Sequence, residues 1–371
     1  MKPAVLALAL ATTLGAPGPV FGTRVLMAQT PAPTANSKLE THNSQLDRNL
    51  STDPLTTIRR RGTLLCGLNQ SEAEYNPADQ HGPRVAFDTD LCRAVAAAIL
   101  GPQAHYAIKG YPDNDTALDA LRAGEVDLVP SVSDDFTHAT QPGILLTQPV
   151  LYDAIGILVP TAAHITTLAQ LSSQRICYLA ETETETQLHT YFDTHHLTLV
   201  PYPFSEQGEM EAAFSTHNCS ALAGDLTRLA TVRLSLGSHA PDYELLPETL
   251  APDTLAMASR SGTSEDLQLR NILTWTLNLL IAAEEHNITR ANLAAATKSQ
   301  DPTLRRLLGL TRELGRPLGL DDAWPQHVIE ATGNYGELYD RDLGPNSPLK
   351  LPRGQNALAR NGGLLQSLPL Q

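Results

Sequence analysis

Apolar and polar positions divide the chain into a polar leader, two stretches in which short apolar runs alternate with helical patterns, and a C-terminal part of helices and loops. Residues 63–68 (TLLCGL) form an apolar run of strand length. Residues 87–100 (FDTDLCRAVAAAIL) show helical periodicity with an acidic start. The pattern then predicts a strand at 105–108, a helix at 116–123 stopped by Gly124, a strand at 126–129 and another at 155–159 closed by Pro160. This βαβα order predicts an α/β domain with a mainly parallel sheet. The rhythm restarts with strands at 175–179, 197–202 and 220–223 and helices at 185–194, 209–215 and 226–236, a second and smaller α/β unit. Residues 254–259 lead to a strongly amphipathic helix from Glu265 to about Ala283, with Leu269, Ile272, Leu273, Thr276, Leu277 and Leu280 on one face. Helical segments follow at 290–296 and 302–308, and the Gly- and Pro-rich tail after Asn334 reads as loop.

The N-terminus follows another pattern. Lys2 precedes an apolar stretch at 4–14 (AVLALALATTL) that is too short to cross a bilayer and is followed by Gly15, Pro17, Gly18 and Pro19. It reads as a signal peptide, residues 1–28, with cleavage after Gly22 or Ala28, and predicts export. Residues 29–53 are rich in Pro, Ser, Thr and Asn without apolar periodicity and read as a flexible leader. The 371 residues suffice for two domains with separate cores. A net charge of −14 and an aromatic content of 5% argue against nucleic acid as a partner and fit an acidic, soluble monomer. Four cysteines in an exported chain point to disulfides, with three pairings open.

Motifs for catalysis are missing: there is no Gly-x-Ser-x-Gly elbow, no P-loop and no His-Glu-x-x-His. Glu181, Glu183 and Asp225 could supply acid–base pairs, but carboxylates alone are not a mechanism. The chain is therefore read as a non-enzyme without a cofactor. His189, Asp193, His195 and His196 are metal-ligand types, yet their pattern is that of a polar helix surface running into a loop, and no metal site is assigned.

Linked motifs then carry a resemblance. In the first half these are Leu65-Cys66-Gly67-Leu68-Asn69, Phe87-Asp88-x-Asp90-x-Cys92, and Ala117-Leu118-x-Ala120-Leu121-x-x-Gly124-Glu125-Val126-Asp127-Leu128. In the second half they are Thr274-Trp275-Thr276, Ala283-Glu284-Glu285-x-x-Ile288-Thr289, Gly319-Leu320-x-x-x-Trp324, Gly333-Asn334-Tyr335-Gly336-Glu337, Ser347-Pro348-Leu349-Lys350, and Arg353-Gly354-x-Asn356-Ala357-Leu358. Over roughly residues 55–369 the chain resembles the amino-acid-binding proteins of bacterial ABC importers, in the general L-amino-acid binding subgroup of extracellular solute-binding protein family 3. The resemblance implies a periplasmic, bilobed α/β clamshell of type II, with two hinge crossings near 157–160 and 254–257 and a C-terminal helical and loop extension. Lobe 1 would be 54–157 with 254–300, lobe 2 158–253, and the extension 301–371. It also implies the pairs Cys66–Cys92 and Cys177–Cys219, a membrane permease as partner, and a small solute in the cleft outside the carboxyl ends of the strands.

The pocket motifs depart from that family. Its carboxylate-binding Arg aligns with Ala139, in Ser133-Asp134-Asp135-Phe136-Thr137-His138-Ala139, and no Arg occurs from 123 to 174. Its Gly-Thr-Thr-Thr turn aligns with Glu181-Thr182-Glu183-Thr184, whose carboxylates would repel an anionic ligand. Glu72 and Arg84 stand in a differing first loop, while Asp225 keeps the position that binds the ligand's amino group. Ligand contacts are thus expected from Asp225, Thr182, Thr184, Glu181, Asp134, Glu72 and Arg84. Three outcomes stay open: a changed preference for cationic solutes, a non-transport paralogue that lost its site, or ordinary amino-acid binding through a substitute cation such as Arg84 or His138. An enzyme on the same fold is the remaining alternative.

Overall fold

The computed structural model describes residues 53–69 and 83–370, within the compact unit Asn49–Gln371. The expected signal peptide, the leader up to residue 52 and Glu72 lie outside the described residues.

Helix α1 (Pro54–Arg61) starts where the Asp53 carboxylate accepts the N–H groups of Leu55 and Thr56, and stops at Gly62 in the left-handed region (φ 69°). Strand β1 (Thr63–Asn69), helix α2 (Pro83–Leu100), strand β2 (His105–Tyr111), helix α3 (Asn114–Ala123) and strand β3 (Leu128–Ser133) follow. From Val85 to Ile99, α2 is almost wholly buried, which its alanine-rich sequence permits because small side chains pack on every side. After the four-residue helix α4 (Phe136–Ala139), strand β4 (Ile144–Pro160) leaves the first lobe. The second lobe holds β5 (Arg175–Leu179), α5 (Glu183–Thr194), β6 (Val200–Phe204), α6 (Gln207–Ser215), β7 (Ala221–Asp225), α7 (Leu226–Ser235) and β8 (Tyr243–Leu245), and β9 (Ala251–Arg260) returns.

Among the described residues the strands run in the order β2-β1-β3-β9-β4-β7-β5-β6, with β8 paired to β4. β1 pairs in parallel with β2 and β3, and β5 in parallel with β6 and β7. The prediction of a mainly parallel sheet holds only for these trios. β4 and β9 carry the chain out and back, so they run in opposite directions and pair antiparallel with each other and with β3 and β7. β4 is 17 residues long, although only its last part reads as strand in sequence. The earlier part breaks alternation because Pro149, which has no N–H to give, sits at a register shift between Leu146 and Leu151.

Each lobe has its own core. The larger cluster joins Leu64, Leu91 and Val95 to Ile272, Leu273 and Leu277 of helix α8 (Ser264–Glu285). In the second lobe, alternation along β4 sends Ile157 and Val159 to one side, with Ile176, Leu188 and Phe192, and Leu158 to the other, with Met210, Phe214 and Leu222. Cys66 of β1 is bonded to Cys92 of α2 and Cys177 of β5 to Cys219, with Cα–Cα distances of 6.5 and 5.8 Å, one bridge in each lobe.

Short helices α9 (Leu293–Ala296) and α10 (Pro302–Leu307) precede α11 (Trp324–Thr332) and α12 (Tyr335–Asp342). The expectation of a loop after Asn334 is corrected by α12. Asn334 Oδ1 accepts the Glu337 N–H and Glu337 Oε2 accepts the Asn334 N–H, both at 2.9 Å, a capping box written in the sequence. Tyr335, Leu338 and Tyr339 then bury against the first lobe.

Candidate functional site

A cavity of about 420 Å³ lies where the carboxyl ends of β3, β5 and β7 meet β4 and β9. The segment after β3 supplies Asp134, Asp135, Phe136 and Thr137. The head of α5 supplies Thr182, Glu183 and Thr184, and the β7–α7 junction supplies Asp225 and Arg228. Ile155, Asp253 and Thr254 of the crossing strands line its base.

On the first side, the Asp134 N–H donates to Thr254 O at 2.6 Å, which ties the turn to β9. The Asp135 carboxylate caps α4, accepting the His138 N–H and meeting His138 Nδ1, each at 2.8 Å. Asp134 has no cation beside it among the described residues; burial and the neighbouring Asp135 push its carboxyl above the usual range. Burial and then Asp134 likewise raise the Tyr152 phenol. Ala139 is exposed and not among the lining residues.

On the second side, Glu181 occupies the left-handed region (φ 59°). The family's Gly would take that geometry without steric cost. The turn persists here because the Glu181 N–H donates to Glu185 Oε2 at 2.8 Å and the Thr182 hydroxyl donates to Leu179 O at 2.7 Å. Glu181 itself is exposed and lies off the lining. With its hydroxyl directed to Leu179, Thr182 leaves the first turn of α5 without a side-chain cap.

Asp225 sits at the N-cap of α7 but does not cap it. The buried Asp153 of β4 takes that role: its Oδ2 accepts the Thr227 N–H at 3.3 Å and the Thr227 hydroxyl. This substitution leaves the Asp225 carboxylate to the cavity. Arg228 follows three residues on, hence on the same helix face. Its Nη2 donates to Gln207 Oε1 at 2.5 Å, and Gln207 is oriented by donating its own Nε2 to Glu211 at 2.6 Å. Arg228 Nε is buried without an acceptor. Arg228 was missed in sequence; the signal was the Asp225-x-x-Arg228 spacing at a strand-to-helix junction.

Of the expected contacts, Asp134, Thr182, Thr184 and Asp225 meet around one cavity, and Arg84 lies in the first turn of α2 with its side chain outside the described atoms. Among the described residues no group of three or more His, Cys, Asp or Glu side chains converges as metal ligands, and no helix is long and apolar enough to cross a membrane.

No protein-family model matches the chain. The glutamate/glutamine/aspartate/asparagine-binding protein BztA of Rhodobacter capsulatus is 33% identical over 324 residues, 86% of this chain and 94% of the relative. The general L-amino acid-binding periplasmic protein AapJ of Rhizobium johnstonii is 33% identical over 325 residues, with the same coverage. This chain belongs to the amino-acid-binding periplasmic proteins of ABC transporters. Its fold agrees with that membership: an ABC transporter periplasmic binding protein from Brucella ovis, solved with glutathione bound, matches with a TM-score of 0.78 at 33% identity, covering 86% of this chain and 100% of the other. These relatives of the binding-protein family are binding proteins, not enzymes.

Proposed function

We propose that this family member is the extracytoplasmic solute-binding component of an amino-acid-type ABC importer. It acts in the periplasm as a monomer that delivers its solute to a membrane permease, and its specificity is shifted toward small cationic solutes. Lobe 1 is read as 54–157 with 254–300, lobe 2 as 158–253 and the extension as 301–371. The observation that carries the specificity is charge: among the described residues, Asp134, Glu183 and Asp225 line the cavity with one guanidinium, Arg228. Like charges close together in a partly dry cleft repel, and a cation relieves that repulsion. Asp225 and Asp134 would hold ammonium or guanidinium groups, and Thr182 and Thr184 would position the solute. Arg228 would meet a carboxylate, so an amino acid with a cationic side chain fits both halves of the site.

Calorimetry on the purified mature protein tests this with L-arginine, putrescine, L-alanine and L-glutamate. L-arginine and putrescine are expected to bind, more weakly as salt rises, and Asp225→Ala is expected to abolish binding. Tight binding of L-alanine or L-glutamate by the unaltered protein would overturn the cationic preference. Binding of none of the four would support a paralogue that has lost its site.

A further inference from the structure

Phe136 is the most exposed large hydrophobic side chain among the described residues, at 84%. It does not stand on a loose loop. Its helix α4 is capped by Asp135, and the Thr140 hydroxyl donates back to Phe136 O at 2.7 Å. An aromatic ring left in water on so short and well-tied an element has no role in any core. Yet it lines the cavity, on the β3 side, directly after the carboxylates of Asp134 and Asp135 and across from Thr182, Glu183, Thr184 and Asp225.

We propose that Phe136 is a specificity-determining residue of the cleft: its ring face covers the cationic group of the bound solute while Asp134 neutralises it. This rests on the cationic reading of the cavity given above. A ring face carries negative electrostatic potential and attracts ammonium and guanidinium groups, most strongly once water is excluded. An aliphatic side chain would exclude water equally well but would not discriminate charge. The pairing of ring and carboxylates therefore separates a cation from a neutral molecule of the same shape, which a carboxylate alone, itself a good acceptor of neutral N–H groups, does less sharply.

L-arginine and L-citrulline provide that comparison, since a neutral urea replaces the guanidinium at nearly constant shape. The unaltered protein is expected to prefer L-arginine. Phe136→Leu, which keeps bulk and apolarity, is expected to weaken L-arginine binding by about threefold to tenfold and L-citrulline binding by less than about twofold. Phe136→Tyr is expected to keep the preference. Position 136 is exposed, so the variants are expected to fold, which circular dichroism checks. If L-arginine binds and the L-arginine to L-citrulline ratio is unchanged in Phe136→Leu, the role of Phe136 is overturned while the cationic reading stands. If the unaltered protein binds neither probe or prefers L-citrulline, the cationic reading falls and the inference with it.

Discussion

Asp342 is 5% exposed and Asp90 4%, side by side where α12 meets α2, with Arg341 bonded to both and Arg93 to Asp90. Burial first, and then the Asp90 charge, push the Asp342 carboxyl up to about 7, against the opposing pull of Arg341. An aspartate in the unfolded chain ionises near ~3.9. Between those pH values folding takes up a proton, so the stabilisation is fully present below about pH 4 and is lost as pH rises through 7. Asp342→Asn, which needs no proton, is expected to be more stable than the unaltered protein at pH 8 and to flatten the profile between pH 4 and 7. The slope removed is at most about 1.4 kcal/mol per pH unit, read from urea unfolding. Parallel profiles for the two proteins would refute the raised ionisation of Asp342. The same scale separates what was legible at the cleft. Asp225, Asp134, Thr182 and Thr184, named from residue type and alignment, line one cavity. Arg228 was not named, because its importance depends on Asp153 capping α7 from a strand about seventy residues earlier.

Helix α12 is written in its own first turn. Asn334 closes the capping box with Glu337 and also donates Nδ2 to Ile288 O at 2.8 Å. Asn334→Ala removes the cap and leaves that buried carbonyl unpaired, and is expected to cost about 1–3 kcal/mol of stability in urea unfolding. A change of less than about 0.5 kcal/mol would show that packing of Tyr335 and Tyr339 alone holds the helix. Strand β4 is the opposite case. Its pairing partner β9 lies about a hundred residues away in sequence, and Pro149 and the polar Thr147 and Gln148 hide the strand from any local pattern. The extension reinforces β4 at this weak place. The Asn356 side chain accepts the Tyr152 N–H and donates to the Tyr152 carbonyl, both at 2.8 Å, as a neighbouring strand would, and the Tyr335 hydroxyl donates to Val150 O at 2.8 Å.

At the scale of the whole molecule, two lobes are joined by β4 and β9, and each lobe carries its own disulfide. The bridges close segments with sequence separations of 26 and 42 residues. Replacing either pair by serine is expected to cost about 2–4 kcal/mol, seen as a lower midpoint in calorimetry. Unchanged midpoints in both double variants would exclude a stabilising role for the bridges. The extension also reaches helix α7, which follows Asp225. Arg233 of α7 donates to Leu349 O at 3.2 Å, and Ala230 is buried in the larger core.

The sequence by itself determined the alternation of strands and helices, the apolar face of α8, the capping box of α12 and the residue types of the cleft, because each is set by neighbours a few positions away. It carried the family membership as well, through motifs spread from β1 to the extension. Tertiary structure alone decided the antiparallel course of β4 and β9, the exchange of Asp153 for Asp225 as helix cap, and the approach of Arg228 and Phe136 to one cavity. These depend on pairings between segments tens to hundreds of residues apart, where the energy of a contact is fixed by where the backbone has already gone and not by the residues on either side.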